Sequence, residues 1–302
     1  KLIGLLVLCS FLAAGCGGSV TTSPVPTAVD FLTADTRGIA SSVDPALGAP
    51  SPPAGATDFG AAAEDGRQQI AREIEEADLY RVSGDFLYLL NSYRGLAVVD
   101  LAKFVLVGRL PLSGYPLEMY LRGTRAFVLV ADRQAGTQLI ELSVANPAAP
   151  AVSRTETITG NLRTSRIVGD VLYAITDAVV QSFRIALAPF EPASNLALEG
   201  GAEFAHASDA YAFITSAVPS ADSTAGTRVT LVDISDPGGA LAPRGAIDLP
   251  GYIADDQKLN FGGGVLRVVT HDWVDGGLSR LFTINITDPD APVILATLNL
   301  GS

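Results

Sequence analysis

Short runs of β-branched, aromatic and aliphatic residues recur along the chain from about Asp78 onwards, and each run opens with a pair of turn-forming residues. Runs of this kind bounded by Gly, Asp or Ser are typical of β-strands. The runs start at residues 84, 123, 169, 208 and 263, so their spacings are 39, 46, 39 and 55 residues. Such spacing indicates an internal repeat rather than a series of unrelated strands.

A second apolar run follows each of these strands, and a polar turn then leads to a third run. Three of the turns contain a proline after Asn or Asp, which ends strand pairing because proline lacks a backbone N–H. The segment leading into the next unit supplies a fourth strand. Four short antiparallel strands in about 40 to 50 residues is the period of a β-propeller blade. Both faces of the strands are apolar, so each blade must stack on its neighbours. The pattern predicts an all-β protein, a β-propeller with about five four-stranded antiparallel blades.

Several of these segments resemble a known family. Residues 75–78, 84–88 and 96–100 are similar to the opening of a family of secreted bacterial β-propeller proteins that are distantly WD40-like. Residues 232–237 and 248–252 are similar to the middle blades of that family. Members are usually longer, so the resemblance implies that five blades form an incomplete, open ring. It implies no catalytic chemistry at particular residues.

Residues 67–76 precede the first blade and can be interpreted in two ways. Ile70 and Ile74 stand at helical spacing, which predicts a short helix. The family resemblance instead implies an extended lead-in strand. The helical interpretation is narrowly favoured.

The first sixteen residues have the pattern of a bacterial export signal. The apolar run 2–14 is too short to span a bilayer and suits the hydrophobic region of a signal peptide. It ends at Ala-Ala-Gly-Cys, which resembles a lipobox, although Ala13 stands where leucine is usual. The resemblance implies that Cys16 is lipidated, and Gly17 implies outer-membrane sorting if the cell has two membranes. The alternative is an ordinary signal peptide with an incidental cysteine.

Residues 17–66 are rich in Ala, Ser, Thr, Pro and Gly and show neither helical nor strand periodicity. Such a segment buries too little apolar surface to offset its ordering entropy. The predicted organisation is therefore a signal peptide at 1–16, a disordered tether at 17–66 and propeller blades at 67–302.

Charge and cysteine content narrow the classes of partner. The chain has 20 Lys and Arg against 32 Asp and Glu, a formal net charge of -12. Nucleic acid binding is not expected, because it requires clustered basic residues. Attachment to a membrane is expected through the lipid anchor only. The two cysteines, Cys9 and Cys16, both precede the tether, so disulfides and thiolate metal sites are not expected in the blades.

Two histidines offer candidate chemistry. His271, Asp272 and Trp273 are consecutive and follow a predicted strand. They could contact a ligand at the mouth of the ring, but a carboxylate that bonds loop amides and an indole packed on the next blade would explain them without one. His206 is expected in an innermost strand, where a structural role is favoured over lining the channel.

No catalytic constellation is recognisable in the sequence. There is no G-x-S-x-G elbow, and the glycines at 262–264 precede a strand rather than a helix. Paired carboxylates at turns lack the spacing of an EF-hand loop. Such turns can hold Ca²⁺ weakly, although turn capping explains them without an ion. No cofactor and no catalytic metal are expected.

The leading hypothesis for function is an envelope-anchored, non-catalytic binding or scaffold lipoprotein that presents loops to a protein or glycan partner. The alternative is an envelope enzyme, a hydrolase, lactonase or quinone-type oxidoreductase that uses the channel. Such enzymes need His, Asp, Glu or Arg converging near the axis, which two histidines supply poorly. Fold alone does not decide between these functions.

Overall fold

The computed structural model describes residues 72–75, 77–134, 136–219, 225–272 and 277–301. Cys16, the tether and Trp273 lie outside the described residues, so the predictions made for them stay predictions. Gln68–Ser302 form one compact unit. Among the described residues, no helix is long and apolar enough to cross a membrane.

The described chain folds into five antiparallel sheets that follow one another along the sequence. In each sheet the four repeat strands stand side by side in chain order, so every repeat is a four-stranded meander. The prediction of an all-β propeller with five such blades is confirmed. The first strand of each blade is called the inner strand and the fourth the outer strand.

The strand bounds are as follows. Blade 1 comprises β2 (Tyr80–Ser83), β3 (Phe86–Asn91), β4 (Gly95–Asp100) and β5 (Val105–Leu110); blade 2 comprises β6 (Tyr115–Arg122), β7 (Arg125–Asp132), β8 (Gly136–Ser143) and β9 (Ala151–Ile158); blade 3 comprises β10 (Leu162–Val168), β11 (Val171–Thr176), β12 (Val179–Arg184) and β13 (Glu191–Ala197); blade 4 comprises β14 (Phe204–Ala207), β15 (Tyr211–Pro219), β16 (Ala225–Asp233) and β17 (Ala242–Pro250); blade 5 comprises β18 (Leu259–Gly262), β19 (Val265–Asp272), β20 (Leu278–Asn285) and β21 (Val293–Asn299). One turn of 3-10 helix, Asp256–Lys258, precedes β18.

The turn pairs seen in the sequence join the first and second strands of the blades. In four blades a glycine opens a two-residue turn, and its φ lies between +55° and +61°. Two-residue hairpin turns that match the twist of the strands need positive φ, which glycine adopts without steric cost. These glycines are Gly84, Gly123, Gly169 and Gly263.

The segment before the first blade is extended, so the prediction of a short helix there is wrong for its described part. Ile74 and Glu75 form a two-residue strand, β1, that pairs with Val168 and Ile167 on the inner edge of blade 3. Asp78 then bridges to Met119 on the inner strand of blade 2. An inner strand has an unpaired edge whose backbone groups need hydrogen-bond partners, and the lead-in segment supplies them. Tertiary pairing therefore overrides the helical spacing.

The hydrophobic core is divided into four clusters, and each lies between two consecutive blades. In the cluster between blades 2 and 3, for example, Phe127 and Leu139 pack with Leu172 and Phe183. Blades 2, 3 and 4 thus each bury their two faces against different neighbours, which is why their strands are apolar on both sides.

The five blades form an open arc, as the resemblance implied. The four core clusters and the extensive contacts among the described strands join blades that are consecutive in sequence. The outer strand β21 of blade 5 is exposed along its whole length. Many of the large apolar side chains that face solvent lie on the two end blades, among them Leu79, Tyr80, Val82, Phe104, Ile294, Leu295 and Leu298.

Candidate ligand-binding face

Two kinds of connection meet at one end of every blade. Alternate strands run in opposite directions, so the turn between the second and third strands lies at the same end as the exit from the fourth strand. We call this end the exit face. The exit from blade 4 touches the end of the second strand of blade 5, because the main chains of Tyr252 and His271 exchange hydrogen bonds of 2.9 and 2.8 Å. The segment that links blades 4 and 5 is thereby fixed to the strand that carries His271.

A cavity of about 290 Å³ opens on the exit face between this linking segment and blade 5. Its polar lining includes Tyr252, Lys258, His271 and Ser279, all half-buried. Nδ1 of His271 lies 3.1 Å from Oγ of Ser279 on the adjacent strand, and the Tyr252 ring meets the imidazole edge-on with centroids 5.6 Å apart. The cavity therefore combines an aromatic ring with three hydrogen-bonding side chains.

His271 and Asp272, which the sequence analysis grouped together, do not converge. Consecutive residues of a strand point to opposite faces of the sheet. Asp272 is only 5% exposed, and its carboxylate pairs with Arg280 at 3.2 Å. The carboxylate is thus committed to a buried ion pair, whereas His271 faces the cavity. Trp273 lies outside the described residues.

His206 lies in the inner strand of blade 4, as the sequence predicted. Its imidazole stacks on the ring of its cross-strand neighbour Phe213, with an interplanar angle of 23° and centroids 6.4 Å apart. The half-buried side chain belongs to a different blade from His271. The structure therefore does not bring His206, His271 and Asp272 together into one site.

A buried polar cluster between the inner strands of blades 2 and 3 was missed by the sequence analysis. Ser165 is fully buried, donates a hydrogen bond to the Glu118 carboxylate and lies 2.8 Å from the Tyr120 hydroxyl oxygen. Burial raises the pKa of the Glu118 carboxyl, although the bond from Ser165 and the charge of Arg166 oppose the shift. Burial also raises the pKa of Tyr120. We call Glu118, Tyr120 and Ser165 the wedge cluster.

The wedge cluster holds two blades together and has no exposed nucleophile. Ser165 lies 45 and 47 residues after Tyr120 and Glu118 and belongs to a different repeat, so no local spacing connects it to them. Both strands contain several polar residues, so nothing in the sequence singled out these three.

Several carboxylates at the turns have a hydrogen-bond or ion-pair partner close by. Asp288 accepts a hydrogen bond of 3.1 Å from the backbone N–H of Asp290, whose own carboxylate lies 3.2 Å from Arg244. Asp255 lies 3.4 Å from the ammonium of Lys258. Within the described ranges, no group of three or more His, Cys, Asp or Glu is placed to hold a metal ion.

Five stacked four-stranded meanders with cores between them define a protein of the β-propeller class. The comparison of sequences agrees, because residues 70–189 match the family described as beta propeller domain. The β-propeller domain that the resemblance implied is therefore confirmed, with the family match covering residues 70–189.

Similar solved structures include the computationally designed Ika8 protein, with 8% identity and a TM-score of 0.47, the N-terminal domain of Nup159, with 10% and 0.38, and BamB from Moraxella catarrhalis, with 9% and 0.39. The alignments cover 74, 74 and 71% of this chain. The chain spans about six tenths of each of these structures, namely 61, 60 and 61%. No curated protein matches the chain.

Proposed function

We propose that this protein is a non-catalytic binding module that presents its exit face to a glycan in the cell envelope, where a lipid at Cys16 anchors it. The observation that carries the proposal is the cavity formed by Tyr252, Lys258, His271 and Ser279. An aromatic side chain beside hydrogen-bonding groups suits a sugar, because the apolar face of a sugar ring packs on aromatic rings while its hydroxyls bond polar groups.

The size and exposure of the cavity support a small ligand. Its volume of about 290 Å³ accommodates one or two sugar rings rather than a long segment of protein. The lining side chains are half-buried, so each keeps part of its surface towards the cavity. The linking segment is hydrogen-bonded to the strand of His271 through both main chains, which holds Tyr252 in place before a ligand arrives.

A second candidate function, hydrolysis, is favoured by the contact between His271 and Ser279. A serine within hydrogen-bond reach of an imidazole is the start of a nucleophile–base pair. A serine triad also requires a carboxylate to orient the imidazole. Asp272 points to the opposite face of the sheet and pairs with Arg280, so it does not orient His271. Binding without catalysis is therefore the function that this geometry supports better.

The test is binding of the full chain to a panel of envelope glycans, with affinities measured by calorimetry. Tyr252→Ala and Ser279→Ala should each weaken binding of the selected glycan about five- to thirtyfold, since each removes one contact worth about 1–2 kcal/mol. Tyr93→Ala is the matched control, because Tyr93 is 94% exposed on another blade. Binding that is unchanged in both cavity variants would remove the cavity from the function.

Ester and lactone substrates distinguish the second candidate. The proposal expects no turnover above that of buffer and no difference between the protein and Ser279→Ala. Turnover that is lost in both Ser279→Ala and His271→Ala, but kept in Tyr93→Ala, would identify an enzyme and contradict the proposal.

A further inference from the structure

A Gly-Tyr pair recurs at the same place on the exit face of two blades. The pairs are Gly114-Tyr115 at the entry to blade 2 and Gly251-Tyr252 at the entry to blade 5. The strand partner of each tyrosine stands eight positions after the turn glycine of its blade; the partners are Ala131, after Gly123, and His271, after Gly263. The two tyrosines therefore occupy equivalent positions in the repeat.

The backbone requires the glycine of each pair. Gly114 and Gly251 have φ angles of +89° and +85°, which glycine adopts without steric cost. A Cβ at Gly114 would lie 2.7 Å from the carbonyl oxygen of Ala131. A Cβ at Gly251 would lie 2.8 Å from the carbonyl oxygen of His271. This close approach carries the linking segment over the end of the second strand, so the next residue stands at the exit face.

The fold does not require the tyrosine of each pair. Blade 3 has the same backbone, with Gly160 at a φ of +91°, but its next residue is Asn161. The side-chain amide of Asn161 donates a 2.8 Å hydrogen bond to Asp177, its neighbour at the end of the second strand. A polar pair thus closes this position in blade 3. Tyr115 is instead 61% exposed, so its ring contributes little to the core and faces solvent at the exit face.

A cavity of about 440 Å³ opens beside Tyr115. Its walls come from the same two connections as those of the blade 5 cavity, namely the segment that links two blades and the turn after the second strand, here residues 131–134. The carboxylate of Asp132 shapes this turn by accepting a 2.8 Å hydrogen bond from the backbone N–H of Gln134. Arg133 and Gln134 are exposed. Each of the two cavities therefore combines one tyrosine, one basic side chain and further hydrogen-bonding groups.

We infer that the cavity of blade 2 is a second sugar subsite, and that the ligand of the exit face is a polysaccharide of repeating units held at both cavities. The inference rests on the proposed function, which assigns a sugar to the cavity of blade 5. The exposed ring of Tyr115 suits the apolar face of a sugar, and Arg133 and Gln134 supply donors for its hydroxyls. A repeating polymer presents the same sugar many times, so one strand can engage two equivalent subsites.

The dependence of binding on ligand length tests the inference. The probes are peptidoglycan strands, O-antigen chains and capsular polysaccharide, each given to the full chain as a single repeating unit and as a polymer of about ten or more units. The polymer that binds should do so about a hundredfold more tightly per repeating unit than the single unit, because its second contact is intramolecular. Tyr115→Ala and Tyr252→Ala should each remove most of this gain. Calorimetry measures both the affinities and the number of units bound.

The number of single units bound separates failure of this inference from failure of the proposed function. The unmodified chain and the control Tyr93→Ala, an exposed tyrosine on blade 1, should each bind two units, and Tyr115→Ala should bind one. One unit per unmodified chain, lost in Tyr252→Ala and kept in Tyr115→Ala, would overturn this inference and leave the proposed function standing. Binding that is lost in Tyr115→Ala but unchanged in Tyr252→Ala, or no binding of any probe, would overturn both.

Discussion

The hydroxyl oxygens of Tyr120 and Ser165 lie 2.8 Å apart between blades 2 and 3, and both side chains are fully excluded from solvent. Ser165 also donates to Glu118, so it bridges a phenol and a carboxylate that stand on the same strand, β6. Three polar groups thus satisfy one another in an otherwise apolar interface. Because an unsatisfied buried polar group costs more than a hydrogen bond contributes, the wedge cluster makes the pairing of these two blades specific.

Removing Ser165 should destabilise the protein more than removing the Tyr120 hydroxyl. Ser165→Ala leaves both the phenol and the carboxylate without their shared partner, which should cost about 1–3 kcal/mol. Tyr120→Phe leaves the bond between Ser165 and Glu118 intact and should cost about 1 kcal/mol. Urea unfolding of both variants and of the double variant would measure the coupling. A double variant whose loss equals the sum of the two single losses would show that the two groups do not act together.

The wedge cluster should make stability depend on pH through Glu118. Burial raises the folded-state pKa of this carboxyl above its ordinary value of 4.5. The folded state therefore binds the proton more tightly than the unfolded state. The protonated group therefore contributes to the free energy of unfolding in full below the ordinary pKa, and this contribution is lost as pH rises through the raised pKa.

Glu118→Gln removes this titration, since the amide can still accept the bond from Ser165 without acquiring charge. The unfolding free energy of Glu118→Gln relative to the unmodified protein should therefore rise with increasing pH, starting near pH 4.5. Chemical unfolding of both proteins at a series of pH values measures this difference in unfolding free energy. Glu199→Gln, at an exposed position, is the control and should show no comparable trend. A difference that falls with increasing pH would show that the carboxylate, not the acid, is favoured in the folded state.

Breaking the ion pair between Arg125 and Glu141 should be among the more damaging single changes at an interface. The two charged atoms are 2.8 Å apart, and the Glu141 side chain is only 3% exposed. Arg125→Ala would leave this buried carboxylate without its cation and should cost about 3–5 kcal/mol. The comparison is the exposed pair of Arg184 and Glu191, whose charged atoms are 3.1 Å apart. Arg184→Ala should cost less than about 1 kcal/mol, because solvent screens exposed pairs.

A second variant separates the loss of an ion pair from the loss of packing at this site. Arg125→Ala combined with Glu141→Gln removes both charges and keeps an acceptor for the N–H of Phe190, which bonds Glu141 at 2.7 Å. The double variant should be more stable than Arg125→Ala. If thermal unfolding shows the double variant to be equally unstable, packing of the arginine stem is the main contribution.

Cys16 is expected to carry the lipid that anchors the protein. Cells given a clickable fatty acid should label the unmodified protein and fail to label Cys16→Ser, because the lipobox-like run places the acyl group on this thiol. Cys9→Ser is the matched control and should be labelled normally, since Cys9 lies inside the apolar run. Equal labelling of all three proteins would contradict the prediction.

The mature protein is expected to hold no catalytic metal. The two histidines stand on different blades, and each has an aromatic neighbour. Elemental analysis of the purified full chain should find no stoichiometric zinc, copper or iron. One tightly bound transition-metal ion per chain would contradict this prediction.

The sequence predicted the blades well because their signals are local. A glycine with positive φ in a two-residue turn, an apolar run and a proline-bearing turn are all contained within one repeat. β3 and β19 accordingly begin two residues after Gly84 and Gly263, as expected from their turn pairs. The same locality led to the error at residues 72–75, the described part of the predicted helix, where the spacing of two isoleucines was outweighed by the open edge of β10 in another blade.

The sequence by itself determined the class of fold, the five blades visible in this chain and the inner strand that carries His206, whereas His271 was expected after a strand and lies within β19. Only the tertiary structure decided which side chains meet. Glu118 and Ser165 come together because blades 2 and 3 stack, and His271 and Asp272 separate because neighbouring residues of a strand face opposite ways. Local structure is predictable from the repeats, since each unit contains its own turn-forming residues. Contacts between repeats depend on how whole blades pack, which no single repeat encodes.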